Sequence, residues 1–189
     1  MRSLILLSVL YAGGEYAGWS FFLLYAHRLG YGMAGVVALN GAFFGGALVS
    51  LFLIRSVDRY RSFRTALALR GSVYLLFLVP GAMPFLPVLA AAAGLALNLY
   101  WVPYNIIFMD ELEDRVRATW SSVLFMGISV MGTLVPVAAG LAIDRWGFAA
   151  AFGAGAALNL AGIFAVDLRP GERSGPATGG GAGAWSRPG

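Results

Sequence analysis

Long apolar stretches alternate with short polar connections along almost the whole chain. Six stretches approach or exceed the roughly 20 apolar residues that a membrane-spanning helix needs. They run from Leu4 to Ala26, Met33 to Ile54, Thr65 to Val79, Leu86 to Met109, Thr119 to Ile143, and Phe148 to Val166. The third stretch is expected to continue through Pro80 to Met83. The pattern predicts an all-α membrane protein with six transmembrane helices.

Composition agrees with this interpretation. The 189 residues are 59% apolar and only 12% charged, and the mean hydropathy is +0.77. Soluble globular domains are roughly 45 to 50% apolar and a quarter charged. The chain has no cysteine, which excludes disulfides, thiolate metal ligands and cysteine nucleophiles.

The distribution of arginine predicts the orientation of the helices. The net charge of +4 comes from thirteen arginines, and no lysine is present. Six spans would place eleven of these arginines on one side of the membrane and only Arg28 and Arg145 on the other. Because basic residues in short loops stay on the cytoplasmic side, both termini are expected in the cytoplasm, with the chain in the cell membrane. Arg70 is expected to snorkel to that face. The arginines lie between hydrophobic runs, so no nucleic-acid partner is expected.

Two domains are expected. Residues 1–167 form the six-helix transmembrane bundle. Residues 168–189 have the glycine, proline and serine content of a disordered cytoplasmic tail.

A weak internal repeat relates the two halves of the bundle. Asp58 and Arg59 precede Tyr60, and 86 positions later Asp144 and Arg145 precede Trp146. At the same shift, further identities appear without a gap, at Gly41 and Gly127, Gly46 and Gly132, Leu48 and Leu134, and Val49 and Val135. Since a unit of three helices is odd, the two units would have opposite orientations in the bilayer. Such a 3+3 inverted repeat is typical of secondary transporters. The alternative is that Asp-Arg-aromatic is a common ending for an apolar helix at a headgroup layer.

Three stretches resemble the major facilitator superfamily. They are "SVDRYRSFRTALALRG" after the second span, "DELEDRVRATWSSVLFMG" before the fifth, and "GTLVPVAAGLAIDRWGFAAAFGAGAAL" across the fifth and sixth. The resemblance implies half of that fold, because members of the superfamily usually have two six-helix bundles that rock around a central site. A partner is therefore expected, either a second copy in a homodimer or a separate six-helix half. The resemblance also implies secondary active transport of a small organic solute, and a proton is the candidate coupling ion.

Glu15 is the leading candidate for chemistry, because a carboxylate halfway through a span is costly in lipid and usually faces a cavity or a partner. Tyr11, Glu15 and Trp19 recur on one face of the first span, and Asn98, Trp101 and Asn105 recur on one face of the fourth. In the superfamily these two spans line the central cavity. These six residues are predicted to bind the substrate or a proton. The alternative is that Glu15 is a protonated acid bonded to a neighbouring helix and that the aromatic residues only pack.

Two further sets of residues are considered. Asp58, Arg59 and Arg61 are expected near the acidic run that contains Asp110 and Glu111. The resemblance makes these loops a gate, and the alternative is a solvated surface pair worth under about 1 kcal/mol. Gly41 with Gly45, and Gly132 with Pro136 and Gly140, form faces of small residues at which helices approach closely.

Other functions fit the sequence less well. The sole histidine, His27, lies beside Arg28 at the outer end of the first span, and the sequence contains no phosphate loop or cluster of metal ligands. An enzyme, a cofactor and a metal site are therefore not expected. The alternatives to transport are a substrate-binding membrane subunit of a multi-component importer, and a non-transporting fragment or assembly protein.

Overall fold

The computed structural model describes residues 2–54, 58–110 and 114–167. Within these ranges the chain is all-helical, with short turns and no strand. The predicted tail at 168–189 and the loop residue Glu111 lie outside the described residues.

The chain begins with one long helical segment, which we call the first segment. It consists of α1 (Arg2–Gly14), a π-helical turn (Glu15–Trp19) and α2 (Ser20–Arg28). The backbone of Gly14 and Ser20 is right-handed helical, so the three parts run into one another. The remaining helices are α3 (Met33–Leu53), α4 (Arg59–Leu76), α5 (Leu86–Asp110) after a 3₁₀ turn (Met83–Phe85), α6 (Asp114–Trp146) and α7 (Phe148–Asp167).

The third predicted stretch was placed too late in the sequence. Its helix begins at Arg59 instead of Thr65, because the Asp58 carboxylate caps it by accepting bonds from Tyr60 N at 3.0 Å and Arg61 N at 3.1 Å. The helix ends at Leu76, and its extension to Met83 is wrong. The chain turns before the 3₁₀ turn through Gly81, whose φ is +88°.

Three helices are long and apolar enough to cross a bilayer, counted over the described ranges. They are Met33–Leu53, Met83–Asp110 and Arg115–Trp146. By length and composition they are compatible with a membrane protein. The six spans of the sequence analysis stay a prediction, since α4 carries several arginines and the π-helical turn interrupts the first segment.

Successive helical segments alternate in direction. The first segment and α4 run parallel, because residue numbers increase in the same direction along both helices from one contact to the next. The contacts are Glu15 with Arg70, Gly18 with Tyr74, and Phe22 with Phe77. The first segment and α6 are also parallel, because Val9 faces Gly127, Gly13 faces Met131 and Phe21 faces Gly140.

The other helices point the opposite way. α7 is antiparallel to α4, because residue numbers rise along α4 while those of the facing residues fall along α7. The contacts are Leu67 with Gly162, Gly71 with Leu160, and the stacked rings of Tyr74 and Phe152. α3 returns from the turn at 29–32 and stacks Phe43 on Trp19. α3 and α5 are parallel, since Gly94 meets the Phe43 carbonyl and Asn98 bonds the Ala47 carbonyl.

Five helix pairs make most of the contacts in the bundle. α3 packs on α5, α4 packs on both α5 and α7, and the first segment packs on α6 and α7. Two larger groups of buried side chains fill most of the interior of the described bundle, and a smaller one joins α6 to α7. Of the larger groups, one contains Tyr11, Phe63 and Tyr100, and the other contains Phe22, Phe77 and Phe152. α3 and α6 therefore lie on the flanks, and both expose large apolar side chains, including Phe44, Leu48, Phe125 and Leu134.

The two Asp-Arg corners lie at opposite ends of the bundle and differ in local structure. Asp58 precedes the first turn of α4, whereas Asp144 and Arg145 lie in the last turn of α6. α6 ends because Gly147 adopts a φ of +78° and its N–H donates to the Ile143 carbonyl at 2.8 Å.

Candidate functional site

The most unusual feature of the interior is an ion pair between Glu15 and Arg70. The guanidinium contacts the carboxylate twice, through Nε to Oε1 and through Nη2 to Oε2. The Arg70 side chain is 0% exposed and that of Glu15 is 17% exposed. The expectation that Arg70 snorkels to a membrane face is wrong. Because Asp58 starts α4 at Arg59, Arg70 lies three turns inside the helix, and its buried counter-ion is on the neighbouring segment.

Aromatic rings surround the Arg70 guanidinium. Its Cζ lies 4.9 Å from the ring centroid of Trp19, 5.6 Å from that of Tyr74 and 5.7 Å from that of Phe43. Such cation–π contacts are worth more when the cation is desolvated, reaching about 2 kcal/mol. Trp19 is the only partly exposed ring of the three, since Phe43 and Tyr74 are buried. Trp19 therefore separates the guanidinium from the outside of the bundle.

Glu15 is the first residue of the π-helical turn, and close approach explains the glycines beside it. A Cβ on Gly18 would lie 2.6 Å from Cε1 of Tyr74, and a Cβ on Gly14 would overlap the Asn159 amide. These glycines let α4 and α7 pack directly against the turn. π-helical turns inside longer helices occur frequently at functional sites. Sequence reasoning missed this turn, although Gly13, Gly14 and Gly18 are a signal of close packing at this position.

Several buried polar atoms around the ion pair have no hydrogen-bond partner within the described residues. Apart from Oε1 of Glu15 and Nε of Arg70, which contact each other, they are Nη1 of Arg70, the hydroxyls of Tyr11 and Tyr74, and Oδ1 of Asn159. All four side chains are 0% exposed. Tyr11 lies one helical turn before Glu15 on the first segment, and Asn159 adjoins Gly14. Leaving a buried polar group without a partner costs roughly 1 to 3 kcal/mol each, so this cluster is suited to a polar occupant.

The structure brings together some of the six predicted site residues. Tyr11 stacks on Tyr100 of α5 with centroids 3.8 Å apart, and Trp101 meets Tyr11 edge-on at 5.9 Å. Trp19 and Glu15 share Arg70 as a neighbour. Tyr11, Glu15, Trp19 and Trp101 therefore lie along the contact between the first segment and its neighbours.

Asn98 and Asn105 are placed differently. The Asn98 amide donates to the Ala47 carbonyl at 2.7 Å and so connects α5 to α3. Asn105 is exposed, away from the ion pair. The face that joins the two asparagines to Trp101 in the sequence does not form one lining surface, because α5 packs on α3 along one side and on α4 along another.

The predicted gate residues form one pair and one cap. Arg59 Nη1 contacts Asp110 Oδ2 at 2.7 Å, with side chains 52% and 61% exposed. Asp58 is occupied in capping α4, and the Arg61 side chain is exposed. An exposed pair of this kind contributes little to stability, typically under about 1 kcal/mol. Its role as a gate stays a prediction.

Comparisons with protein-family models, curated proteins and solved structures find no match for this chain. The resemblance to the major facilitator superfamily therefore stays a prediction from the quoted motifs.

Proposed function

We propose that this chain is one six-helix half of a facilitator-type secondary transporter that moves a small organic solute across a membrane, with proton coupling through Glu15. A second copy, or a separate six-helix half, completes the path. In this proposal all six helical segments span the bilayer, and both termini are cytoplasmic.

The packing of the helices supports an inverted repeat. An inverted repeat would pair the first segment with α5, α3 with α6, and α4 with α7. Under this pairing, the contact of α3 with α5 corresponds to the contact of α6 with the first segment. Likewise, the contact of α4 with α5 corresponds to the contact of α7 with the first segment, and the contact of α4 with α7 corresponds to itself. The two Asp-Arg corners at opposite ends of the bundle agree with this relation, which is characteristic of secondary transporters.

The exposed faces of α3 and α6 support a second half. Gly41 and Gly45 have nothing within 4 Å of a Cβ built on them, so this face of small residues does not serve packing inside the bundle. A partner helix that approaches closely at these glycines would use the face, as small residues do between membrane helices.

The ion pair of Glu15 and Arg70 is the observation that carries the proposal. Charged groups inside a membrane bundle are expensive, by roughly 3 kcal/mol each on insertion scales, and commonly mark proton and substrate paths. Arg70 cannot lose its charge, since a guanidinium stays protonated in proteins. Glu15 is the partly exposed member of the pair and is thus the group that exchanges a proton when its contact with Arg70 loosens.

Proton flux into proteoliposomes tests this function. The full chain is reconstituted with a trapped pH dye, and sugars, amino acids and organic acids are added outside in separate groups. We expect at least one group to drive proton entry in the wild type and none to do so in Glu15→Gln. Asp144→Asn, a matched change at an exposed carboxylate, should retain the flux.

Two results would contradict the proposal. Solute flux that is equal in wild type and Glu15→Gln, with and without a pH gradient, would remove the coupling. Absence of flux for every solute, in every reconstituted oligomer, would remove transport itself.

A further inference from the structure

The guanidinium of Arg70 has an unused edge. An arginine offers five N–H donors in a planar fork. Glu15 takes the edge formed by Nε and Nη2, and Nη1 has no hydrogen-bond partner. The second edge, formed by Nη1 and the remaining N–H of Nη2, has the spacing that binds a carboxylate through two parallel hydrogen bonds.

Two tyrosine hydroxyls add donors beside that edge. Tyr74 lies against the guanidinium, with Arg70 Cζ 5.6 Å from its ring centroid. Tyr11 lies one helical turn before Glu15 on the first segment. Both hydroxyls are buried and make no hydrogen bond of good geometry within the described ranges, and that of Tyr74 lies close to the guanidinium and to the Trp19 backbone. Buried polar groups in native proteins are nearly always satisfied by protein, water or a ligand, so an acceptor bound beside the free edge of Arg70 would satisfy these donors.

The chemistry of the cluster favours an anion over a cation. Three of the four unpartnered groups described above, on Arg70, Tyr11 and Tyr74, can donate hydrogen bonds, and the guanidinium would repel a second cation. The surrounding rings of Trp19, Phe43 and Tyr74 suit a flat apolar body. From these contacts we infer that the free edge of Arg70, with the hydroxyls of Tyr74 and Tyr11, is a binding site for the carboxylate of a small organic anion.

Entry to this site requires movement of Trp19. Trp19 is the partly exposed ring over Arg70, and it is the last residue of the π-helical turn. The inference rests on the proposed function in one respect. In that function Glu15 takes up a proton, and this uptake would cancel the charge that the anion brings. Binding itself can be measured without any flux, so the two proposals can fail separately.

Calorimetric titration of the full chain in lipid nanodiscs tests the site. The probes are benzoate and acetate, with benzamide and acetamide as neutral counterparts of the same shape. We expect benzoate to bind at least tenfold more tightly than benzamide, because a hydrogen bond to a charged group is worth about a tenfold to hundredfold change in affinity. The same reasoning predicts that Tyr74→Phe, which keeps the ring, weakens benzoate binding by about tenfold.

Tyr104→Phe is the matched control. The Tyr104 hydroxyl is also buried without a partner, but its ring is stacked on Tyr100 and Phe108 and is not one of the rings around the Arg70 guanidinium. Its removal should leave benzoate affinity unchanged. Arg70→Lys, which keeps the charge but removes the fork, should abolish binding.

Three outcomes would overturn the site. These are no binding of either carboxylate at millimolar concentration, equal affinity for benzoate and benzamide, and equal effects of Tyr74→Phe and Tyr104→Phe. In each case the cluster does not recognise a carboxylate. Anion binding without solute-driven proton flux would support the site and contradict the proposed function. Flux of neutral solutes without anion binding would support the proposed function and contradict the site.

Discussion

The carboxylate of Glu15 and the guanidinium of Arg70 depend on each other. Arg70 is fully buried, Glu15 is partly exposed, and each is the counter-ion of the other. Removing one member of a buried pair leaves an uncompensated charge, which costs about 3 to 5 kcal/mol, whereas replacing both members can be nearly neutral. The pair is therefore a structural element of the bundle as well as the centre of the proposed function.

A double-mutant cycle measures this dependence. Glu15→Gln and Arg70→Met should each lower the free energy of unfolding by about 3 to 5 kcal/mol, and the double variant should lose clearly less than the sum. Denaturant unfolding in mixed micelles, followed by tryptophan fluorescence, provides the measurement. The neighbouring exposed residues Asp144 and Arg145 supply a control cycle in which the effects should add. Additive losses at Glu15 and Arg70 would mean that the contact contributes nothing to folding.

Asp58 allows a second test at this scale, which separates capping from gating. Asp58→Ala should destabilise the protein by about 1 kcal/mol because α4 loses its N-cap, while Asp58→Asn should be close to neutral because asparagine is an equally good cap. Unfolding of the three proteins under identical conditions decides between them. If the asparagine variant is as unstable as the alanine variant, the charge of Asp58 matters and the capping explanation fails.

At the scale of elements, the apolar pattern of the sequence predicts where the helices are but not how they touch. All six stretches correspond to helical segments, because long apolar runs bounded by glycine, proline and charge leave few alternatives. The boundaries of α4 depend on one capping side chain. The burial of Arg70 depends on a contact between α4 and the first segment, and such contacts are invisible in a single sequence.

The glycines illustrate the same limit. The spacing of Gly41 and Gly45 predicts a close approach, yet it is the neighbouring Gly46 that packs against α5. A Cβ on Gly46 would overlap the Ala91 carbonyl, and a Cβ on Gly94 would overlap the Phe43 carbonyl. The rotation of α3 about its own axis decides whether Gly45 or Gly46 faces α5. The spacing of the small residues in the sequence does not specify that rotation.

Alanine substitutions on α3 and α5 check this packing. Gly46→Ala and Gly94→Ala should each destabilise the protein by about 1 to 3 kcal/mol or more, because backbone atoms of the facing helix cannot move aside as a flexible side chain does. Within a single half, Gly45→Ala adds the same methyl group where nothing lies within 4 Å, and it should leave the stability of that half unchanged or raise it by up to about 1 kcal/mol. Equal effects at Gly45 and Gly46 would show that α3 is rotated from the position described.

At the scale of the whole molecule, the alternation of helix direction has one consequence that reaches the function. Short connections join successive segments, so neighbours in sequence run in opposite directions. The Arg59–Asp110 pair then lies at one end of the bundle, and the contact of Arg28 with Phe148, with Arg28 Cζ 5.4 Å from the ring centroid, lies at the other. If all six segments span the bilayer, these two ends face different compartments.

Thiol labelling tests this arrangement directly, because the chain has no cysteine of its own. Arg61→Cys and Asp144→Cys place single thiols at the exposed corners of opposite ends. With a membrane-impermeant maleimide, Asp144→Cys should react in intact cells and Arg61→Cys only after permeabilisation, since the arginine-rich end stays in the cytoplasm. Phe44→Cys, at a 59% exposed position in the middle of α3, should react under neither condition because lipid covers it. Labelling of both corners from the same side would mean that the two helix triplets are not inverted, and the proposed transporter half would lose its structural basis.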